Sequence, residues 1–280
     1  MARLGENQYG KSRVRLSRIT RAGDRHTFQE WNVRVLLRGD FETSFTLADN
    51  SKVLPTDTMK NTVYSLARES RATAIEEFAM ELGDYLLENN SQVSSVVVDI
   101  SERAWRPMII RGEPEPHTFK LEGPELETTH AERKRGREWS VTSGVDGLTI
   151  LKTTKSGFEG YLPDKLTTLK PVADRILGTC ATVTWQFASS MPHYSNVRAQ
   201  VLRALMEEFA SHDSKSVQHT LFDMGKAALA ASPDVARITL TMPNLHHLLL
   251  DLSPFGQDNP NHIFVPIDEP HGYIEATIER

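Results

Sequence analysis

Hydrophobic and polar residues alternate near the start of the chain. Val14 and Leu16 have charged or hydroxyl neighbours, and a turn at residues 21–24 separates them from a second run at 31–37. Alternation of this kind on both sides of a short polar turn predicts a long antiparallel hairpin.

Helical spacing replaces this alternation after residues 41–50. One apolar face begins at Met59, and Thr56 or Asp57 is expected to cap its helix. A second helix is predicted from Ile75 to Leu86, ending at Asn89. Two strands then follow, at 93–100 and around 117–121.

The second half of the chain repeats this order. The predicted elements are an extended pair at 125–154 with its turn at 144–147, a strand at 182–187, helices at 197–209 and 217–228, and strands at 235–242 and 247–252. The pattern predicts an α+β fold with two tandem domains, 1–122 and 123–280, each an antiparallel sheet with helices on one face. Unpaired sheet edges favour closure of several sheets into an oligomeric β-barrel.

Composition narrows the possible partners. The 280 residues are 39% hydrophobic and 25% charged with a net charge of -5, which favours neither a nucleic acid nor a membrane partner. The basic run 133–135 is interleaved with acids and predicts a solvated hairpin face. A single cysteine, Cys180, excludes an intrachain disulfide, and neither terminus resembles a secretion or peroxisomal signal. We therefore expect a cytoplasmic protein.

Common nucleotide, metal and nucleophile motifs are absent from the sequence. It contains no Walker loop, no GxGxxG, no HExxH and no GxSxG. His246 and His247 are adjacent, and neighbours on a regular strand point to opposite faces, so they are not expected to share an ion. No His and Cys cluster suggests zinc, and no metal site is predicted.

Seven short segments carry a more specific signal. They are Tyr9-Gly10-Lys11; Ala48 to Ser51 with Thr56 to Thr62; Gly147 to Lys152; Phe158-Glu159-Gly160-Tyr161; Thr167 to Lys170 with Asp174 to Leu177; Ser216-Val217-Gln218; and Met242 to His246. In order and spacing they resemble the urate oxidase (uricase) family, from Tyr9 to about Ser253.

The resemblance implies an activity and an architecture. The family oxidises urate with O2 and water to 5-hydroxyisourate and H2O2 in purine degradation, without metal, flavin or other cofactor. Its two tunnelling-fold domains per chain assemble into a homotetramer with active sites shared between subunits. The implied proton-relay triad is Lys11, Thr56 and His246. The implied substrate-binding residues are Thr56, Asp57, Phe158, Leu169, Arg175, Val217, Gln218 and Asn244.

The residue types suit a flat anionic heterocycle. Arg175 offers a planar fork of donors, and Gln218 offers a donor and an acceptor side by side. Phe158 provides a stacking face, while Thr56 and Asp57 lie at a predicted helix N-terminus that favours anions.

Each residue taken alone has an ordinary structural interpretation. Thr56 or Asp57 would be a helix cap, Phe158 and Leu169 core residues, Arg175 one half of a surface ion pair, Lys11 a solvated lysine, His246 a strand histidine, and Gln218 and Asn244 polar surface or turn residues. Two other functions stay open, a tunnelling-fold enzyme acting on pterins or purines and a non-catalytic purine-binding protein.

Overall fold

The structure of the protein, a computed structural model, describes residues 2–188 and 191–280. Internal contacts divide the chain into two compact units, and the boundary along the chain lies between Val145 and Asp146. The predicted domain boundary, between residues 122 and 123, lies inside a strand that is continuous from Glu113 to Lys134.

Four antiparallel strands form the sheet of the first unit. They are β1 (Tyr9–Ala22), β2 (Arg25–Gly39), β3 (Val93–Ile110) and β4 (Glu113–Lys134), and each pairs with the next along the chain. The predicted hairpin is present, and its turn includes Gly23 at a φ of 61°, a left-handed conformation that glycine adopts at little cost. The strands predicted at 93–100 and 117–121 are parts of the longer β3 and β4.

Two helices, α2 (Thr56–Glu69) and α3 (Ile75–Glu88), cover one face of this sheet. A short helix, α1 (Glu42–Thr46), precedes them. Helix α2 packs against β1, and α3 packs against β3 and β4. Their apolar faces bury residues such as Met59 and Phe78 against Val33 and Val35, all 0% exposed. The apolar residues of the alternating strands and of the helices therefore pack together in one core.

The predicted cap of α2, Thr56 or Asp57, was wrong by one or two residues, because Pro55 occupies the cap position. The helix begins at Thr56 itself, after Pro55, so Thr56 and Asp57 occupy its first turn. The first backbone bond along the helix runs from the Met59 N–H to the Pro55 carbonyl. The earlier N–H groups of the turn therefore have no acceptor within the helix.

The hairpin turn predicted at 144–147 was also wrong. These residues lie within β5 (Ser140–Lys152), and the chain turns earlier, where the Arg137 N–H donates to the Lys134 carbonyl beside Gly136 at a φ of 73°. Gly147 has a φ of 80° inside the strand. Two glycines as close together as Gly144 and Gly147 usually indicate a turn. Here both lie within a strand, which is locally irregular at Gly147.

The second unit, like the first, has strands that precede and follow a pair of helices. It contains β6 (Leu177–Phe187), α4 (Tyr194–Ser211), α5 (Val217–Ala231), β7 (Val235–Thr241), β8 (Asn244–Leu249), a 3-10 turn (Ser253–Phe255), β9 (Phe264–Gly272) and β10 (Glu275–Glu279). Strands β6, β7 and β10 pair in antiparallel order, and β8 pairs with β6 and β9. Helix α5 packs against α4, β7 and β10. The prediction did not include β9 and β10.

No helix among the described residues is long and apolar enough to cross a membrane.

Each unit contains an arginine that donates to three backbone carbonyls at the passage from a helix to a strand, here called the arginine clamp. This shared contact shows the repeat of the two units at the level of single residues. Arg135 donates to the carbonyls of Leu87, Asn90 and Val93, where α3 passes into β3. Arg280 donates in the same way to the carbonyls of Leu229, Ser232 and Val235, where α5 passes into β7. In both units the three acceptors are spaced three residues apart. Arg135 therefore binds the backbone, which the prediction of a merely solvated basic run did not foresee.

Replacing Arg135 with alanine is expected to lower the free energy of unfolding by about 2 kcal/mol, because charge-assisted bonds to several carbonyls are lost. Chemical denaturation followed by circular dichroism would measure this. Lys134→Ala removes a neighbouring exposed charge and serves as the control. Equal midpoints for the two variants would contradict a stabilising clamp.

Candidate functional site

A cavity of about 700 Å³ opens in the second unit. Seven of the sequence-predicted residues line it: Phe158, Leu169, Arg175, Val217, Gln218, Asn244 and His246. They come from a loop, from the start of α5 and from β8, so the fold brings together residues that are far apart in sequence. The volume falls within the range typical of small-molecule pockets.

Arg175 is the principal charged donor at this cavity. Its guanidinium carbon lies 5.5 Å from the centre of the Phe158 ring. Its Nε is buried and has no hydrogen-bond partner among the described residues, and burial lowers the pKa of the guanidinium. A buried cationic donor without an acceptor is costly, so this geometry favours a ligand that supplies acceptors.

Short backbone contacts hold the loop that carries Arg175. The Arg175 N–H donates to the Ser156 carbonyl at 2.7 Å, and Asp174 accepts from the Thr154 hydroxyl at 2.8 Å. At Gly157 a Cβ would lie 2.7 Å from the Ala173 carbonyl oxygen, so only glycine allows the two segments to approach this closely. These contacts fix the guanidinium against the Phe158 ring.

The start of α5 forms another part of the lining. Ser216 caps the helix by accepting a hydrogen bond from the His219 N–H at 3.1 Å, and the first bond along the helix is donated by Thr220. Val217 is buried and Gln218 is exposed. The N–H groups of these two residues precede the first helical bond, which gives this edge of the cavity a partial positive charge.

Asn244 and His246 lie side by side on β8. Asn244 is buried, and its amide nitrogen lies 3.4 Å from Nδ1 of His246. Burial lowers the pKa of His246, and the positive charge of Arg175 and the nearby His271 lower it further. The imidazole is therefore neutral at pH 7 and able to accept a proton.

The sequence prediction assigned no role to two residues at or next to the cavity. Tyr161 stacks on Phe158, with ring centres 5.1 Å apart and planes inclined by 14°, and its hydroxyl donates to the Leu169 carbonyl. His247 also lines the cavity, although regular alternation would turn it away from His246. The pairing of β8 with β9 shifts register between Asn244 and His246, so the strand is not regular there. Of these residues, only Tyr161 was indicated by the sequence, because it belongs to the same family-like segment as Phe158.

The other predicted residues belong to the first unit. Lys11 lies on β1 opposite Val35, just before a register shift, and Thr56 and Asp57 lie in the first turn of α2. Lys11 is close enough to Asp57 for its charge to lower the pKa of that carboxyl, after the larger effect of the hydrogen bond from Lys60. The first unit thus brings a lysine and a helix N-terminus together.

Comparisons with known proteins agree on one family. The profile described as Uricase matches residues 7–132 and 141–275. The chain is 42% identical to the Uricase of Arthrobacter globiformis over 99% of its own length and 90% of that protein, and 38% identical to the Uricase of Dictyostelium discoideum over 100% and 98%.

Solved structures show the same fold. The crystal structure of the uricase from Arthrobacter globiformis matches with a TM-score of 0.94 at 40% identity, covering 100% of this chain and 96% of that one. A urate oxidase from Bacillus sp. TB-90 has a TM-score of 0.85 at 20% identity, a likeness of fold alone, covering 98% and 100%. The predicted α+β fold of two tandem tunnelling-fold domains is confirmed. With a family profile that matches both halves and relatives that align over almost its whole length, the chain belongs to the uricase family.

Proposed function

We propose that the cavity of the second unit binds urate, and that this uricase-family enzyme oxidises urate with O2 in purine degradation. The observation that carries the assignment is Arg175, a half-buried arginine whose Nε is buried without a partner among the described residues, beside an aromatic ring. A planar anion with acceptors on its edge would satisfy that donor and lie flat against the ring.

The cavity residues would divide the binding between them. Arg175 would hold one edge of urate bidentately, and Gln218 would pair with a neighbouring carbonyl and N–H. Phe158 would stack on the ring, while Leu169 and Val217 would provide apolar walls. Asn244 would face the place where oxygen reacts.

The reaction needs no external reductant, because urate supplies both electrons. In the proposed sequence, bound urate loses a further proton and passes two electrons to O2 through a peroxide-like intermediate. Water then adds its oxygen to the ring, giving 5-hydroxyisourate and H2O2. Urate, O2 and H2O together contain the atoms of the two products. Lys11, Thr56 and His246 would move the protons between these groups.

We further propose that no metal or flavin takes part and that the enzyme is a homotetramer. Lys11, Thr56 and Asp57 of one subunit would complete the cavity of another, which the family resemblance supports. Free N–H groups in the first turn of α2 suit the anionic substrate. The single cysteine supports the proposed cytoplasmic location.

One assay tests this function. Purified protein, treated with a chelator and dialysed, is mixed with urate in air while urate absorbance, oxygen and peroxide are followed. Equal consumption of urate and oxygen with matching peroxide release is expected. Urate binding without turnover would indicate a non-catalytic purine-binding protein, and an absolute metal requirement would overturn the cofactor-free reaction.

A pH profile tests the role of His246. Because burial and Arg175 lower the pKa of His246, the ring becomes protonated at a lower pH than an ordinary histidine. If the neutral ring takes up a proton, kcat/KM should fall on the acid side, at a pH below the usual range of a histidine. In His246→Asn the activity should be lower and this histidine-dependent fall should disappear. An unchanged profile in the variant would exclude His246 as the titrating group.

A further inference from the structure

Two histidines and an aspartate meet outside the proposed urate site. His212 follows the end of α4, while His219 and Asp223 lie one turn apart on α5. Their nearest ligand atoms all lie within 4.8 Å of one another. The two α5 residues share a helix face because they are four positions apart.

The separations fit a small tetrahedral ion. Nε2 of His219 lies 3.2 Å from Oδ2 of Asp223, and Nδ1 of His212 lies 3.5 Å from the same oxygen. A zinc ion bound to nitrogen and oxygen at about 2.0–2.2 Å holds its ligand atoms roughly 3.3–3.5 Å apart. An ion could therefore enter with little movement of these side chains.

A fourth ligand is also close at hand. Oε1 of Glu208 lies 3.5 Å from Nδ1 of His212. Two imidazoles with one or two carboxylates form a donor set that suits Zn²⁺ and Co²⁺, whereas Mg²⁺ and Ca²⁺ prefer oxygen alone. Nζ of Lys152 donates to the backbone carbonyls of Phe209 and His212.

His212 is the most buried member of the cluster. Its side chain is 9% exposed, and its Nδ1 lies 3.5 Å from both a Glu208 and an Asp223 carboxylate oxygen. A metal ion bound at that nitrogen would draw the two carboxylates together.

We propose that His212, His219 and Asp223 form a binding site for a divalent transition-metal ion of the Zn²⁺ type, which fastens the end of α4 to the first two turns of α5. The ion has no part in urate oxidation. Because Val217 and Gln218 directly precede His219, it would make the wall of the cavity more rigid. The site depends only on these side chains and stands whether or not the cavity binds urate.

The test uses untagged full-length protein freed of metal by a chelator. Titration with ZnCl2 in a calorimeter should give one ion per chain and raise the melting temperature. CoCl2 should produce the visible absorption bands of a tetrahedral complex. Asp223→Asn should weaken zinc binding at least about 100-fold, more than the loss of an outer-shell partner usually costs. The control is Asp213→Asn, which changes an exposed carboxylate next to His212 and should bind zinc as the unmodified protein does.

His219→Gln provides a second variant in case Asp223→Asn does not fold. Metal-free Asp223→Asn and His219→Gln should retain urate turnover, which also confirms that they are folded. Zinc affinity unchanged in both variants, or binding of less than one ion per chain to the unmodified protein, would overturn the proposal. Loss of urate turnover on removal of zinc would instead contradict the cofactor-free reaction.

Discussion

Replacing Arg175 with alanine is expected to raise the KM for urate by about 100-fold or more, with a smaller effect on kcat. Arg175 is the half-buried arginine at the Phe158 ring, and its buried Nε has no partner among the described residues. Truncating one partner of a buried, hydrogen-bonded charge pair costs about 2–5 kcal/mol, and 1.4 kcal/mol corresponds to tenfold. Steady-state kinetics over a wide range of urate concentration would measure the change.

Two further variants separate geometry from charge. Arg175→Lys keeps the charge but not the planar fork, so it should recover only part of the affinity. Arg237→Ala removes an arginine of β7 that makes an exposed ion pair with Glu279, and it should leave KM unchanged. If Arg175→Ala lowered kcat while leaving KM intact, Arg175 would act on the transition state rather than hold the substrate.

The Arg175 variant has a second expected effect, on pH dependence. The positive charge of Arg175 helps to lower the pKa of His246. Without that charge the pKa of His246 rises, so the decline of kcat/KM on the acid side should begin at a higher pH than in the unmodified enzyme. This displacement would connect substrate binding and proton transfer through one pair of side chains.

Local pattern was sufficient to predict most of the fold. The helices around Met59 and Ile75, and those around Val197 and Val217, were predicted because their apolar residues recur at helical spacing and form the buried faces. The strands β9 and β10 were missed. Pro266, Pro270 and Gly272 interrupt β9, and these residue types usually indicate a turn.

The candidate sites required tertiary information to different degrees. The segments that resemble the family identified seven residues that line one cavity. Their spacing along the chain does not by itself predict that they come together. The cluster of His212, His219 and Asp223 had no motif at all. His212 follows the end of α4, and α5 begins only at Val217, so neither helical nor strand periodicity relates the side chains of His212 and His219.

Replacing Lys11 with methionine is expected to lower kcat by about 100- to 10,000-fold while leaving KM within a few-fold, since removal of a positioned proton-transfer group costs this much. Lys11 lies on β1 opposite Val35, and the strand then bulges at Arg13, whose φ is 58°. A bulge next to a residue redirects the local side chains, and such strain recurs at functional sites.

The choice of methionine makes the Lys11 experiment selective. Methionine has a similar length but no proton to exchange, so packing against β2 should persist. Lys120→Met, at an exposed lysine of β4, is the control and should keep its kcat. Because Arg175 and Gln218 would still hold urate in the variant, equilibrium titration should find its affinity largely intact. A Lys11→Met enzyme that lost affinity but kept kcat would assign Lys11 to substrate binding and remove it from the proton relay.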